Sequence, residues 1–284
     1  MKASIFNVAQ KYRDKILLFN TYTTSMLEIE EEVYNDILCK NKFDQYQKET
    51  LALYEMGFLI PDNFDESAHQ QALRQTVIDS NSGKIANIII APTLECNAHC
   101  YYCFEKGHRR GTMSTETADA LIHHLKENWN GRKLGITWFG GEPLMNWQVV
   151  KDLVKYGREQ EKIHNKNFRF TLTTNGVLLN DEIMEFCNKE MSNVVLSVDG
   201  RKEVHDHMRP FRKGAGSYDL IIPKFQKFAQ SRNQERYYVR GTFTHYNLDF
   251  SRDVLHLADL GFKQISVEPV VAPDNEDYAI RRED

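Results

Sequence analysis

From residue 85 onward, short apolar runs alternate with longer segments whose apolar positions recur every three to four residues. The short runs predict strands over 85–91, 133–139, 167–174, 193–198, 236–244 and 263–270. The longer ones predict helices near 115–129, 147–164, 180–190, 217–231 and 250–260. In the first of these, Ala118, Leu121, Ile122 and Leu125 form one stripe behind Ser114, a suitable N-cap. Six strands separated by five crossover helices predict a parallel α/β arrangement. The strand spacing, roughly 25–45 residues, fits a partial (β/α)6 TIM-like barrel.

The first 66 residues read differently. Strands are expected over 4–9 and 15–22, joined by a Tyr12-Arg13-Asp14 turn, with a third short strand over 25–29. Helices over 30–41 and 46–57 follow; Gly57 closes the second, and a strand over 58–60 stops at Pro61. The polar stretch 62–84 reads as a linker or linker helix. The expected division is a small α+β domain at 1–66, a linker at 67–84 and a core domain at 85–284.

Composition changes this picture little. Of 284 residues, 41% are hydrophobic and 27% charged, as in a globular protein with a real core. The longest apolar run, Ile85 to Leu94, is interrupted by Asn87 and Pro92 and falls short of the ~20 residues of a membrane helix. No signal peptide is visible, so a cytoplasmic protein with no membrane partner is expected. Net charge is −4 with both signs interspersed, which gives no footprint for nucleic acid. Residues 1–66 hold 7 Lys/Arg against 12 Asp/Glu, a local net of −5.

Cysteine placement carries the chemistry. Cys96, Cys100 and Cys103 lie just past the first core strand, at the end where α/β barrels keep their reactive groups. A Cys-x3-Cys-x2-Cys loop can wrap three thiolates around one iron–sulfur cube and leave one iron open. Zinc held by these cysteines with His99 or His108, a Cys100–Cys103 redox pair and three unligated thiols remain alternatives on spacing alone. Cys187, on an apolar helix face with Ile183, reads as a core thiol, and Cys39 has no ligand-spaced partner.

Other motifs fall at strand ends. Gly140 and Gly141 remove side chains so that a ligand can approach the backbone, and Glu142 offers a carboxylate to an ammonium group. Asn175-Gly176 and Asp199-Gly200 carry ordinary turn chemistry. Arg240, inside the fifth strand, needs an anion if it points inward; Glu268 has the same inward logic without an assigned role.

Cys96-x3-Cys100-x-Tyr102-Cys103, with an aromatic residue before the last cysteine, resembles the signature of radical S-adenosylmethionine enzymes, and the resemblance extends over about 85–284. It implies a [4Fe-4S] cluster on Cys96, Cys100 and Cys103. It implies S-adenosylmethionine beside Tyr102, with Gly140, Gly141 and Glu142 at its amino group, Asn175 nearby, Ser197 at its ribose or carboxylate and Arg240 at its carboxylate. His205-Asp206-x-Met208-Arg209-Pro210 resembles the substrate-side loop of peptide-modifying members, with a solvated loop as the alternative.

Finer resemblance, in 199–210, 237–250 and 267–284, is to maturases of SCIFF peptides, cysteine-rich precursors that acquire thioether cross-links. Sulfatase-type and quinohemoprotein-type maturases share the motifs and stand as alternatives, as does a zinc-stabilised binding protein without catalysis. Residues 1–66 resemble PqqD-like winged-helix elements, which bind a leader peptide as an added edge strand. The family's chemistry implies one electron from flavodoxin or ferredoxin, a 5′-deoxyadenosyl radical, and hydrogen abstraction from a substrate carbon. Such maturases continue into a SPASM or twitch domain, so a fragment is expected here, with auxiliary clusters only in a C-terminal extension. No general base is identified.

Overall fold

The computed structural model describes residues 1–81, 87–107, 111–128, 133–211 and 214–284. The chain divides into two compact units, Met1–Ser82 and Gly83–Asp284.

The first unit starts with β1 (Lys2–Ala3), β2 (Asn7–Tyr12), β3 (Lys15–Asn20) and β4 (Met26–Glu30). Next come α1 (Glu31–Tyr34), a π-helical stretch Asn35–Cys39, α2 (Gln47–Glu55), β5 (Leu59–Ile60) and α3 (Glu66–Asn81). Strands β2, β3 and β4 form an antiparallel sheet in that order, while β1 pairs with β5. Ile16 and Leu18, alternate residues of β3, join Ile29, Ile37, Leu53, Phe58 and Leu59 in one apolar cluster. The first expected strand is displaced from 4–9 to Asn7–Tyr12. The turn sets Tyr12 opposite Lys15, and the Ser4 hydroxyl is drawn instead to Glu66 at 2.6 Å. Of the polar stretch 62–84, residues Glu66–Asn81 are helical, and 82–84 lie outside the described residues.

The second unit follows the βα alternation. Its strands are β6 (Asn87–Thr93), β7 (Lys133–Gly140), β8 (Asn167–Thr174), β9 (Met191–Ser197), β10 (Tyr237–Phe243) and β11 (Ile265–Pro269). Between them run α4 (Thr115–Asn128), α5 (Trp147–His164), α6 (Asp181–Glu190), α7 (Lys202–Met208), α8 (Tyr218–Ser231) and α9 (Phe250–Asp259). All five strand pairings are parallel, in the sequential order β6-β7-β8-β9-β10-β11. Winding always in one direction puts the crossover helices on one face and gives the expected partial barrel. On that face Leu134, Trp138, Phe170, Leu172, Val194 and Val239 are buried with Val150 and Val154 of α5 and Ile221 and Phe225 of α8. The alternate positions, such as Thr137 and Arg240, are half-buried and turn to the other face.

Most expected boundaries hold to within two residues. The start of the first core strand, Ile85 and Ala86, lies outside the described residues, as does position 129 of the first core helix. The segment after β9 is a correction: no helix is read from the sequence there, but Lys202–Met208 is helical with His205 and Met208 buried. It is not a solvated loop. Seven residues contain too few periods of an apolar stripe to announce a helix.

Candidate active site at the carboxyl ends of the strands

The ends of β7, β8 and β9 meet the cysteine loop and its approach through backbone and side-chain hydrogen bonds. The end of β7 runs against the approach to Cys96: Gly141 N–H donates to Thr93 O at 3.0 Å and Glu142 N–H to Glu95 O at 2.9 Å. This contact is why two glycines stand here. A Cβ on Gly141 would lie 2.2 Å from Glu95 O, and one on Gly140, where φ is +105°, 2.7 Å from Thr93 O. The glycines make room for the chain itself, and both also line the cavity described below.

Glu142 does more than face the cavity. Its side chain is 1% exposed and already accepts from Leu144 N (3.1 Å), Thr174 Oγ1 (2.8 Å) and Asn175 N (2.8 Å). Two of these donors are backbone amides, at the turn after β7 and just past β8, and the third is the hydroxyl at the end of β8. An ionised carboxylate has about four acceptor sites, so about one remains for an ammonium group. Burial pushes the Glu142 carboxyl up to about 7, against the pull of the Asn175, Thr174 and Leu144 donors.

Asn175 is more than a turn residue. Its Nδ2 donates to Asn97 Oδ1 at 2.8 Å and lies 3.7 Å from Cys96 Sγ, so the end of β8 holds the start of the cysteine loop. The end of the loop is held from β9. Tyr102 OH donates to Asp199 Oδ2 at 2.6 Å, and the same oxygen accepts from Arg209 Nε at 3.0 Å. Asp199 Oδ1 accepts from Thr242 N on β10 at 3.0 Å. Asp199 and Arg209 carry no assigned role in the sequence reading: Asp199-Gly200 reads as turn chemistry, and Arg209 enters only within the segment that resembles a substrate-side loop.

Arg240, expected to point inward and meet an anion, is paired with Glu268 on the neighbouring strand, and the two side chains are 40% and 49% exposed. The anion is therefore supplied by the chain, and Glu268 acquires its role. Cys187 is buried and Cys39 exposed, apart from the cluster of three.

All ten predicted side chains and glycines line one cavity of about 410 Å3: Cys96, Cys100, Tyr102, Cys103, Gly140, Gly141, Glu142, Asn175, Ser197 and Arg240. That volume falls in the ~300–1,000 Å3 range of small-molecule sites. Burial pushes the Cys100 thiol up to about 11, opposed by Arg209. Such thiols release their protons readily only to a metal, whose charge replaces the missing solvent. His99 also lines the cavity, whereas His108 lies outside the described residues. Among the described residues, no three His, Cys, Asp or Glu side chains converge on a single ion site. A zinc ion needs such convergence at about 2.0–2.3 Å, whereas a cube takes each thiolate on a different iron. Three cysteines on one loop, all lining the cavity, are a donor set that fits a cube.

The Radical SAM superfamily model matches residues 90–238. A radical SAM cyclopropyl synthase, TigE, of Paramaledivibacter caminithermalis is 23% identical over 279 residues, 86% of this chain and 58% of TigE. The structure of anSMEcpe with bound AdoMet and Kp18Cys peptide is similar at a TM-score of 0.63 and 19% identity, over 70% of this chain and 56% of that one. Streptococcus suis SuiB bound to its precursor peptide SuiA is similar at 0.51 and 16% identity, over 95% of this chain and 63% of SuiB. The chain spans 54–62% of the length of the curated relatives it first matches.

Proposed function

The chain belongs to the Radical SAM superfamily, and on that premise we propose that it modifies a ribosomally made, cysteine-rich precursor peptide by installing thioether cross-links. Membership implies a [4Fe-4S] cluster and S-adenosylmethionine. The observation that carries the reading is the cysteine loop and four strand-end motifs lining one cavity. Cys96, Cys100 and Cys103 would hold the cluster. When bound, cluster and cofactor would supply one-electron cleavage to a 5′-deoxyadenosyl radical, which takes hydrogen from a substrate carbon.

The chain's own residues position and exclude. Glu142 keeps about one acceptor for the cofactor's ammonium group. Asn175 aims a donor at Cys96 Sγ, the kind of hydrogen bond that tunes an iron–sulfur centre. On the far wall Ser197 offers a hydroxyl, and Arg240 a guanidinium matched by Glu268 until a carboxylate competes.

The substrate class has two supports. SuiB, recorded with a precursor peptide, matches the fold over nearly the whole chain. In the first unit, among the described residues, β2 and β4 each pair with one strand and leave a backbone edge. An extended leader adding to such an edge gains affinity from backbone hydrogen bonds. Flavodoxin or ferredoxin would deliver the electron.

The test is anaerobic reconstitution, then S-adenosylmethionine, a reductant and a cysteine-rich precursor peptide. About four irons per chain, 5′-deoxyadenosine, and a peptide lighter by two hydrogens per cross-link are expected. Cys100→Ala should abolish 5′-deoxyadenosine. Stoichiometric zinc without iron overturns the proposal. A peptide oxidised at a Cys or Ser side chain without a cross-link moves the chain to the sulfatase-type maturases.

A further inference from the structure

We infer that Arg209 and Asp199 are positioning residues for Cys100, a buried ion pair that holds the cysteine loop and sets the reduction potential of the cluster it carries. The inference rests on the cluster reading above and goes beyond its three ligands. Its basis is a short antiparallel ladder. His99 N–H donates to Pro210 O at 2.8 Å and Tyr101 N–H to Met208 O at 2.9 Å, and Ala98 and Phe211 form an antiparallel bridge. One register satisfies all three pairings, and it sets Cys100 opposite Arg209, between the two hydrogen-bonded pairs. Side chains in such a non-hydrogen-bonded pair share a face, with Cα atoms about 4.5 Å apart. Both residues line the cavity.

Asp199 fixes this arrangement from behind. It is fully buried and takes Arg209 Nε on the oxygen that also accepts from Tyr102 OH, while its other oxygen is tied to Thr242 N on β10. The Arg209 guanidinium lies 5.4 Å from the centre of the Tyr102 ring. Cys100 is thus faced by one member of the pair, and the loop two residues on is bonded to the other. A buried ion pair is an expensive way to tie down a loop, and an apolar contact would often serve stability better. What an apolar contact lacks is a field.

A cluster gains one negative charge on reduction, so a nearby cation favours the reduced form and an anion the oxidised form. Arg209 faces Cys100 across the ladder, whereas Asp199 is bonded to Arg209 and partly offsets its charge. Removing either partner unbalances the field in opposite senses. A purely structural tie would show no such sign: both losses would loosen the loop alike.

The experiment is iron content and an EPR-monitored redox titration of the reconstituted protein without S-adenosylmethionine. Asp199→Asn should raise the potential and Arg209→Met lower it, with Arg209→Lys restoring most of the loss. Tyr102→Phe, which takes one donor from Asp199, should give a smaller downward shift. It remains informative where the charge variants fail to fold. Shifts of one sign for both charge variants, or no shift in any variant at full iron content, overturn the inference and leave the cluster reading intact. A wild-type chain without iron overturns both.

Discussion

The turns of the first unit's sheet are tied to a neutral side chain, whereas the candidate site of the second is tied to charged ones. Asn20, 1% exposed, donates to Ser4 Oγ, Asn7 Oδ1 and Gly57 O and accepts from Tyr22 N and Thr23 N. Those bonds hold strand ends and turns of a small sheet, and none of the partners titrates near neutrality. In the second unit Glu142 and Asp199 occupy the corresponding central positions, each buried and each with three hydrogen-bond donors. Charge there costs desolvation, so the local structure becomes sensitive to pH and to any ion placed beside it. A satisfied amide suffices for a unit that presents backbone edges. A site built for charged ligands keeps charges of its own.

The largest break in this comparison should come from Gly141→Ala. The new Cβ would sit 2.2 Å from the Glu95 carbonyl oxygen and 2.7 Å from Leu94 C, where backbone meets backbone. Loss of about 3 kcal/mol is expected in the second unit, with the first unchanged. Denaturant unfolding followed by hydrogen exchange in each unit reads this directly, and equal loss in both units would refute it.

The next effect is pH dependence, and its two sources oppose one another. Glu142, raised to about 7, holds an extra proton in the folded state, so its contribution is full below about pH 4.5 and lost as pH rises through 7. Burial pushes His205 down to about 4, against the pull of Asp199, so its contribution is full above about pH 6.5 and lost as pH falls through 4. Each is worth about 3 kcal/mol, and between pH 4.5 and 6.5 the slopes nearly cancel. Glu142→Gln should expose a fall in stability on acidification, and His205→Asn a fall as pH rises to 7. Unfolding midpoints at about pH 4.5, about pH 6 and about pH 8 decide it.

A smaller effect sharpens the first unit's side of the comparison. Counted outward from the turn at Arg13-Asp14, the alternating amides of Lys11 and Ala9 face away from β3. Ala9→Pro should therefore cost about 1 kcal/mol or less in stability yet abolish capture of a fluorescent leader peptide. Unaltered peptide anisotropy would place leader binding elsewhere. The smallest effect is a control: Lys227 and Asp181 are bonded at 2.7 Å but 60% and 79% exposed. Lys227→Ala should change the unfolding free energy by under about 0.5 kcal/mol, less still at high salt.

Local pattern carried much of this molecule. The strand 167–174 is read correctly to the residue because Phe168, Phe170 and Leu172 alternate with half-exposed positions. The helix 147–164 is equally plain, since Val150, Leu153, Val154 and Gly157 keep one face buried. The short α7 was not legible, nor was the π-helical stretch Asn35–Cys39, because neither spans enough turns to set a period. At the site, spacing identified the cysteines and Gly-Gly-Glu. It did not announce the backbone that the glycines approach or the Glu268 carboxylate beside Arg240.

What the sequence determined by itself is periodic or adjacent: the βα alternation, the three-cysteine loop and the turn residues at strand ends. Each follows from interactions within a few residues, where backbone geometry and side-chain direction are known in advance. Only the tertiary structure decided the partners. Tyr102 and Asp199 are 97 residues apart, and Asn175 lies 33 residues beyond the carboxylate its amide satisfies. Such bonds form where packing removes water and leaves a donor no other acceptor. Their identity depends on how strands of separate βα units line up, which no local pattern records.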